Sequence, residues 1–332
     1  MFNQVKDELL YLYDNKNDMK ITVGEAVNKQ LINNQALAYY MYLTQSFLLS
    51  AGVDPTRFRF RKHADDELAH YAKECWDAEL YSERFGWVES VGIADRSAYD
   101  LNAHIQSTGT DMFALRRFDE PKKVTIKKIE PNMAKLGPLF KDKAEIIKEQ
   151  LESMNGDLSG EISLTIDEKS IIIPSDCYDI VEYTETITGD KFIPHVIEPS
   201  YGLDRILYCI IEQSFEEIEK KGETYRLLRL RPEIAPIKVG VFPLISDDKL
   251  IRIAKSVDRQ LRDHGILTYY DDGGTIGRRY ARMDEIGTPF CVTIDHDSIE
   301  DNAVTVRERD TTKQERIAIT NLITVLLKEL QK

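Results

Sequence analysis

Residues 196–211 read Val-Ile-Glu-Pro-Ser-Tyr-Gly-Leu-Asp-Arg and run directly into Ile-Leu-Tyr-Cys-Ile-Ile, a stretch that leaves few choices of conformation. An apolar strand carries a carboxylate, Glu198, and a hydroxyl, Ser200. Gly202 permits a tight strand-to-helix turn, and Arg205 opens a helix whose N-terminal amides favour anions. Arginine suits that place because its planar, permanently charged fork grips phosphate oxygens and stacks on a base. The stretch therefore reads as a nucleotide site. Taken alone, it also fits a plain strand-helix junction with an N-terminal ion pair.

Elsewhere the pattern changes by region. The first fifty residues read mainly as helix, with Leu37, Tyr40, Met41, Leu43, Phe47 and Leu48 forming a stripe over 33–50 that stops at Gly52-Val53-Asp54-Pro55. Phe58 and Phe60 alternate with Arg57, Arg59 and Arg61 as in a strand with one basic face, and 65–79 suggests helix or irregular chain. About 111–190 looks like an inserted α+β subdomain. Lysines 122, 123, 127 and 128 alternate there with Val124, Ile126 and Ile129, an amphipathic helix follows over 140–154, and two strands over 162–173 turn at Asp167-Glu168. Ile206, Leu207, Ile210, Ile211, Phe215 and Ile218 then predict one helix.

Beyond Pro236 strands and helices alternate: strand 238–244, helix 247–264, strand 266–270, a Gly-rich turn, helix 276–286 and strand 290–294. This order implies parallel pairing in a small α/β domain. Leu250, Ile253, Ala254, Val257 and Leu261 give its first helix one apolar stripe. Arg278, Arg279 and Arg282 follow Gly273-Gly274-Thr275-Ile276-Gly277, which is neither a P-loop nor Gly-x-Gly-x-x-Gly. They fit an internal ion network with Asp284 and Glu285, or contact with an RNA backbone.

Of the 332 residues 42% are hydrophobic and 30% charged, enough for a buried core in two domains, and the net charge of -13 argues against a general polyanion binder. RNA would have to bind through local basic clusters. No apolar run is long enough to span a membrane, and the first residues do not read as a signal peptide, so a soluble cytoplasmic protein is expected. Cys75, Cys177, Cys209 and Cys291 lie far apart with no Cys-x-x-Cys, so reduced thiols and no zinc are expected. The histidines carry no assigned role.

The wording Val-Ile-Glu-Pro-Ser-x-Gly-x-x-Arg resembles motif 3 of class II aminoacyl-tRNA synthetases, in the form used by glycyl-tRNA synthetases of the archaeal and eukaryotic type. Arg59-Phe60-Arg61-Lys62-His63 with Cys75-Trp76-Asp77-Ala78-Glu79 resembles a second block of that family. Gly86-Trp87-Val88-Glu89-Ser90-Val91-Gly92-Ile93-Ala94-Asp95-Arg96 resembles a third, and residues 275–287 resemble its C-terminal anticodon-binding domain. Motifs 1 and 2 are not found, so the chain looks like the C-terminal part of such an enzyme.

The resemblance implies a mixed α/β fold: an incomplete class II antiparallel-sheet catalytic domain over 1–235, with the insertion at about 111–190, followed by the anticodon-binding domain over 236–332. It implies ATP-dependent activation of glycine and transfer to tRNA(Gly), with Mg2+ accompanying ATP. Arg205 and Glu89 are the implied catalytic residues. ATP is assigned to Glu89, Ser90 and Arg205; glycine to Glu198, Pro199, Ser200 and Arg96; magnesium to Glu89. Weak tRNA contact falls to Arg278, Arg279 and Arg282, with Arg307, Arg309 and Arg316 as further positive charge. The insertion is expected near the tRNA acceptor arm or else as a subdomain without RNA contact. The family forms homodimers, and this chain is expected to be inactive without the missing N-terminal half. The alternative is a non-catalytic tRNA- or partner-binding paralogue.

Overall fold

The computed structural model describes residues 1–14, 16–154, 162–166, 169–220 and 222–331. It divides into two compact units, one of residues 1–100 with 195–332 and the other of 101–194.

The first unit opens with a short helix α1 (Phe2–Val5) and a hairpin of β1 (Leu9–Tyr13) and β2 (Asp18–Thr22), where sequence periodicity predicts mainly helix. Leucine and tyrosine serve either state in so short a run, and here cross-strand pairing decides. Helix α2 (Val23–Asn28) precedes α3 (Gln35–Ser50), which starts at Asn34, whose side chain accepts the Ala36 amide. Leu37, Ala38, Met41, Thr44, Gln45 and Leu48 are its buried face. Tyr40, Leu43 and Phe47, predicted in the buried stripe, lie outside it and are exposed.

Three strands follow: β3 (Phe58–Lys62), β4 (Glu74–Ser82) and β5 (Gly86–Ser97). Of the helix or irregular chain predicted over 65–79, residues 65–73 are irregular as expected, whereas 74–79 is corrected to β4, paired on both sides. Its buried Glu74, Asp77 and Glu79 disguise a central strand as polar chain.

The unit of residues 101–194 begins within helix α4 (Tyr99–Thr108) and is built on a long antiparallel pair, β6 (Ala114–Pro131) with β9 (Tyr178–Phe192). Between them lie α5 (Met133–Phe140), α6 (Ala144–Ser153) and the pair β7 (Ile162–Ile166) with β8 (Lys169–Ile173). Ile129, Leu136, Ile147, Leu151, Leu164 and Ile173 share its separate core. The helix predicted over 140–154 is present as α6, which starts only at Ala144, after a short turn at Lys141–Lys143 that separates it from α5. The turn at Asp167-Glu168 lies outside the described residues.

Back in the first unit, β10 (Val196–Tyr201) completes a sheet of order β10-β5-β4-β3-β1-β2, antiparallel except where β1 meets β3. Alternation sorts its residues onto two faces. Phe58, Phe60, Trp76, Ala78, Leu80, Val91 and Ile93 join one core with α3 and with Ile206, Cys209 and Ile210 of α7 (Leu203–Ser214). The opposite face carries Arg59, Arg61, Asp77, Glu79, Gly92, Ala94, Glu198 and Ser200, set opposite one another by the register. Helix α7 stops at Ser214, so the single predicted helix through Ile218 is corrected. Phe215 and Ile218 instead belong to a hairpin of β11 (Phe215–Lys220) and β12 (Glu223–Leu228).

The rest of this unit is a five-stranded sheet of order β14-β13-β15-β16-β17, from β13 (Val239–Pro243), β14 (Thr268–Tyr270), β15 (Phe290–Ile294), β16 (Ala303–Glu308) and β17 (Gln314–Ala318). The first three pair in parallel as the alternation predicts, and the last two add antiparallel. Helices α8 (Asp248–Asp263), α9 (Ile276–Glu285), α10 (Ser298–Asp301) and α11 (Ile319–Glu329) complete it. Its aliphatic core joins Val241 and Val292 to Leu250, Ala254, Val257 and Leu261 of α8 and Leu322 and Leu326 of α11. No helix of the described residues is long and apolar enough to cross a membrane.

Candidate active site

The polar face of the first sheet is a lattice of charge pairs. Arg59 donates to Glu79 at 2.7 Å, and Arg61 bridges Glu79 at 3.1 Å and Asp77 at 2.8 Å. Arg59 is also held between the rings of Tyr13 and Trp87. His63 Nε2 lies 2.8 Å from Asp77, and its buried Nδ1 has no partner among the described residues. His63, Cys75 and Asp77 have the donor set of a metal centre, with ligand atoms within 4.8 Å of one another. Yet both Asp77 oxygens already have partners, and burial pushes the Cys75 thiol up to about 11. The group is better described as a closed hydrogen-bonded network.

Two irregularities in β5 aim the residues that matter. Ala78 pairs with Val91 and Glu79 with Glu89, so Ser90 is an extra residue with no counterpart on β4. Val196 pairs with Ser97 and Ile197 with Asp95, which leaves Arg96 unpaired toward β10. Arg96 reaches across to Glu198 at 2.6 Å and takes Asp100 in two bonds, of 2.7 and 3.0 Å. Those bonds, first to Asp100 and then to Glu198, raise its pKa well above that of an ordinary arginine.

Strand β10 pairs only with β5 among the described residues, which is where a strand tolerates Pro199. Pro199 stands opposite Ile93 on the apolar face, so its ring does not face the polar floor between Glu198 and Ser200. That floor, at Gly92 and Ala94, carries almost no side chain. Gly202 makes the next turn by close approach: its amide donates to the Ser90 carbonyl at 2.8 Å, and a Cβ would stand 3.2 Å from that oxygen. Ser90, expected at the ATP site, is 2% exposed and its hydroxyl donates to the Val88 carbonyl, so that hydroxyl is engaged within β5. Arg205, in the first turn of α7, is exposed and donates to the Glu89 carbonyl at 2.8 Å, with the Glu89 carboxylate 3.9 Å away. Glu89, Arg96, Glu198 and Ser200 thus lie along the β5–β10 edge of the polar face, and Arg205 reaches the Glu89 carbonyl from α7. Sequence reading missed Asp77, Glu79 and Asp100, whose partners become visible only once the strands are paired.

The arginines of the C-terminal sheet are arranged differently. Arg279 is 2% exposed and donates to the carbonyls of Pro243 and Gly274, so its expected contact with RNA is corrected to a structural role. Arg282 pairs with Asp271, Arg316 with Asp295 and Asp301, and Arg307 binds Asp284 through two buried bonds of 2.9 Å. Arg309 donates to the carbonyls of Gly287 and Leu230. Of the predicted trio Arg282 is exposed but ion-paired, and Arg278 is exposed.

Residues 238–329, the five-stranded sheet with its helices, match the family model described as an anticodon binding domain. Over 99% of its length the chain is 41% identical to a glycine–tRNA ligase of Methanococcus vannielii, covering 60% of that protein. It is 42% identical to the Methanocaldococcus jannaschii ligase over 100% of the chain and 60% of the relative. For the Archaeoglobus fulgidus ligase the figures are 46%, 94% and 54%. The chain is thus similar to these ligases along nearly all of its own length and spans 54–60% of theirs.

Proposed function

We propose that this chain forms part of a glycine–tRNA ligase, in which glycine is joined to ATP as glycyl-adenylate and then passed to the 3′ end of tRNA(Gly). The observation that carries the reading is the placement of Glu198, Arg96, Ser200 and Glu89 on one polar sheet face, with Arg205 beside Glu89, in a chain 39–46% identical to such ligases. Glu198 and Ser200 hold the glycine ammonium and Arg96 its carboxylate. Excluding larger side chains falls to steric crowding and to the cost of desolvating the surrounding charges. Arg205, beside the N-terminal amides of α7, takes phosphate and adenine of ATP. The half-exposed Glu89 carboxylate offers oxygen ligands suited to the magnesium that arrives with ATP. Attack of the glycine carboxylate on the α-phosphorus requires alignment and charge stabilisation, not a side-chain nucleophile.

The part of the relatives' length that this chain does not span completes the site, either in a longer chain or as a separate half, and supports a homodimer. Exposed Arg278 remains a candidate for tRNA contact in the anticodon-binding domain. Glycine-dependent exchange of pyrophosphate into ATP tests the reading. The chain alone should stay at background, and the chain combined with the unmatched part of the Methanocaldococcus jannaschii ligase should not. No exchange from the combination, with both parts folded and associated, would leave a non-catalytic paralogue as the better account.

A further inference from the structure

A guanidinium has five N–H donors. In Arg96 three are engaged among the described residues: Nε and one on Nη2 by Asp100, and one on Nη1 by Glu198. One face of the group is covered by the Tyr71 ring, 3.9 Å from its centre. Tyr71 is itself fixed edge-on against His70, which in turn meets Tyr99. Two donors, one on each Nη, are left for a ligand, on a group gripped along its side edge and over one face.

The charges have a consequence of their own. One guanidinium faces two carboxylates, so the cluster of Arg96, Asp100 and Glu198 is net negative. Were Asp100 absent, Arg96 and Glu198 would neutralise each other, and an arriving ammonium would meet no net field. With Asp100 present, Glu198 keeps a share of negative charge while Arg96 still offers two donors to a carboxylate. A zwitterionic amino acid complements both halves at once.

We infer that Asp100, aided by the Tyr71 ring, is a positioning residue that fixes Arg96 in register with Glu198 and keeps Glu198 free to accept the α-ammonium group of the amino acid. The inference rests on the ligase reading above. It is nonetheless decided first on the chain alone, without activity. In protein labelled with 15N-arginine, exchange of the Arg96 Nε–H with water is slow while Asp100 holds it. Asp100→Asn should speed that exchange at least about tenfold, Asp100→Glu should restore part of the protection, and Tyr71→Leu should have the smaller effect. In the chain combined with the unmatched part of a relative, Asp100→Asn should raise KM for glycine about tenfold and leave KM for ATP and kcat near the wild-type values. Unchanged Arg96 exchange in Asp100→Asn overturns the clamp. Equal losses for glycine and ATP overturn its specific link to the ammonium site. If the wild-type combination gives no exchange of pyrophosphate, the ligase reading fails, and the Nε–H measurement still decides whether Asp100 fixes Arg96.

Discussion

The two sheets of the first unit use arginine in opposite ways. In the N-terminal sheet, Arg96 and Arg205 stand on or beside an open polar face and meet exposed carboxylates, Glu198 and Glu89. In the C-terminal sheet, Arg279, Arg307 and Arg309 are buried and bound to backbone carbonyls or to Asp284. The first arrangement keeps charge available for ligands at small benefit to stability. The second binds the architecture together, because a buried charge is tolerated only when its partners are in place. It also ties the C-terminal sheet to the segment that precedes it: Arg309 reaches the Leu230 carbonyl, and Tyr225 of the β11–β12 hairpin donates to the same Asp284 that Arg307 holds.

The sharpest break in this comparison should come from the buried pair. Arg307→Ala leaves Asp284 uncompensated and should destabilise the protein by about 3–5 kcal/mol, measured by denaturant unfolding. A loss below about 1 kcal/mol would mean that the C-terminal arginines are no more structural than those of the open face. Next in size are the open-face residues in the combined enzyme. Arg205→Ala should cut ATP use by about a hundredfold, whereas Glu198→Gln should chiefly impair glycine use, each with a stability change within about 1 kcal/mol. Equal effects on the two substrates would return residues 196–211 to a plain strand-helix junction.

Acid supplies a milder test. Asp247 is held below the ordinary carboxylate range by the amides of Lys249 and Leu250, and Asp301 by the Arg316 guanidinium. Because these folded values are depressed, their contribution is present above the unfolded value of about 3.9 and is lost as pH falls through the folded value. Both tryptophans, Trp76 and Trp87, lie in the N-terminal sheet. Asp54 and Asp100 of the N-terminal part are depressed in the same way, so helical circular dichroism and tryptophan fluorescence should decline together, below about pH 3.9, and a loss complete well above it would contradict the assignment. The smallest effect is expected at Arg278. Arg278→Glu should reduce the salt slope of tRNA binding by about 0.7–0.9 without lowering the unfolding midpoint, and an unaltered slope would remove Arg278 from the RNA surface.

Local pattern made some of this legible. Helix α8 announces itself through Leu250, Ala254, Val257 and Leu261, and β3 through Phe58 and Phe60 between arginines. Residues 196–205 point to a strand, a turn and an arginine before any pairing is known. What remained hidden depends on partners distant in sequence. Strand β4 does not look like a strand until Arg59 and Arg61 are placed opposite Glu79 and Asp77. Phe215 continues the helical period of α7 but leaves it, since pairing with Leu228 in a hairpin prevails over local periodicity. The burial of Arg279 has no local sign either, because the carbonyls that hold it belong to Pro243 and Gly274.

The extra residue at Ser90 also acts on the phase of the strand. Before it, odd-numbered Trp87 and Glu89 face the polar side; after it, even-numbered Gly92 and Ala94 do. Without this one-residue change of parity, Glu89 and the arm that ends in Arg96 would project from opposite surfaces of the sheet. Spacing along β5 is thus as much a determinant of the site as side-chain identity. With Ser90 paired in regular alternation instead, β5 would keep every side chain and still be unable to present Glu89 and Arg96 on the same face.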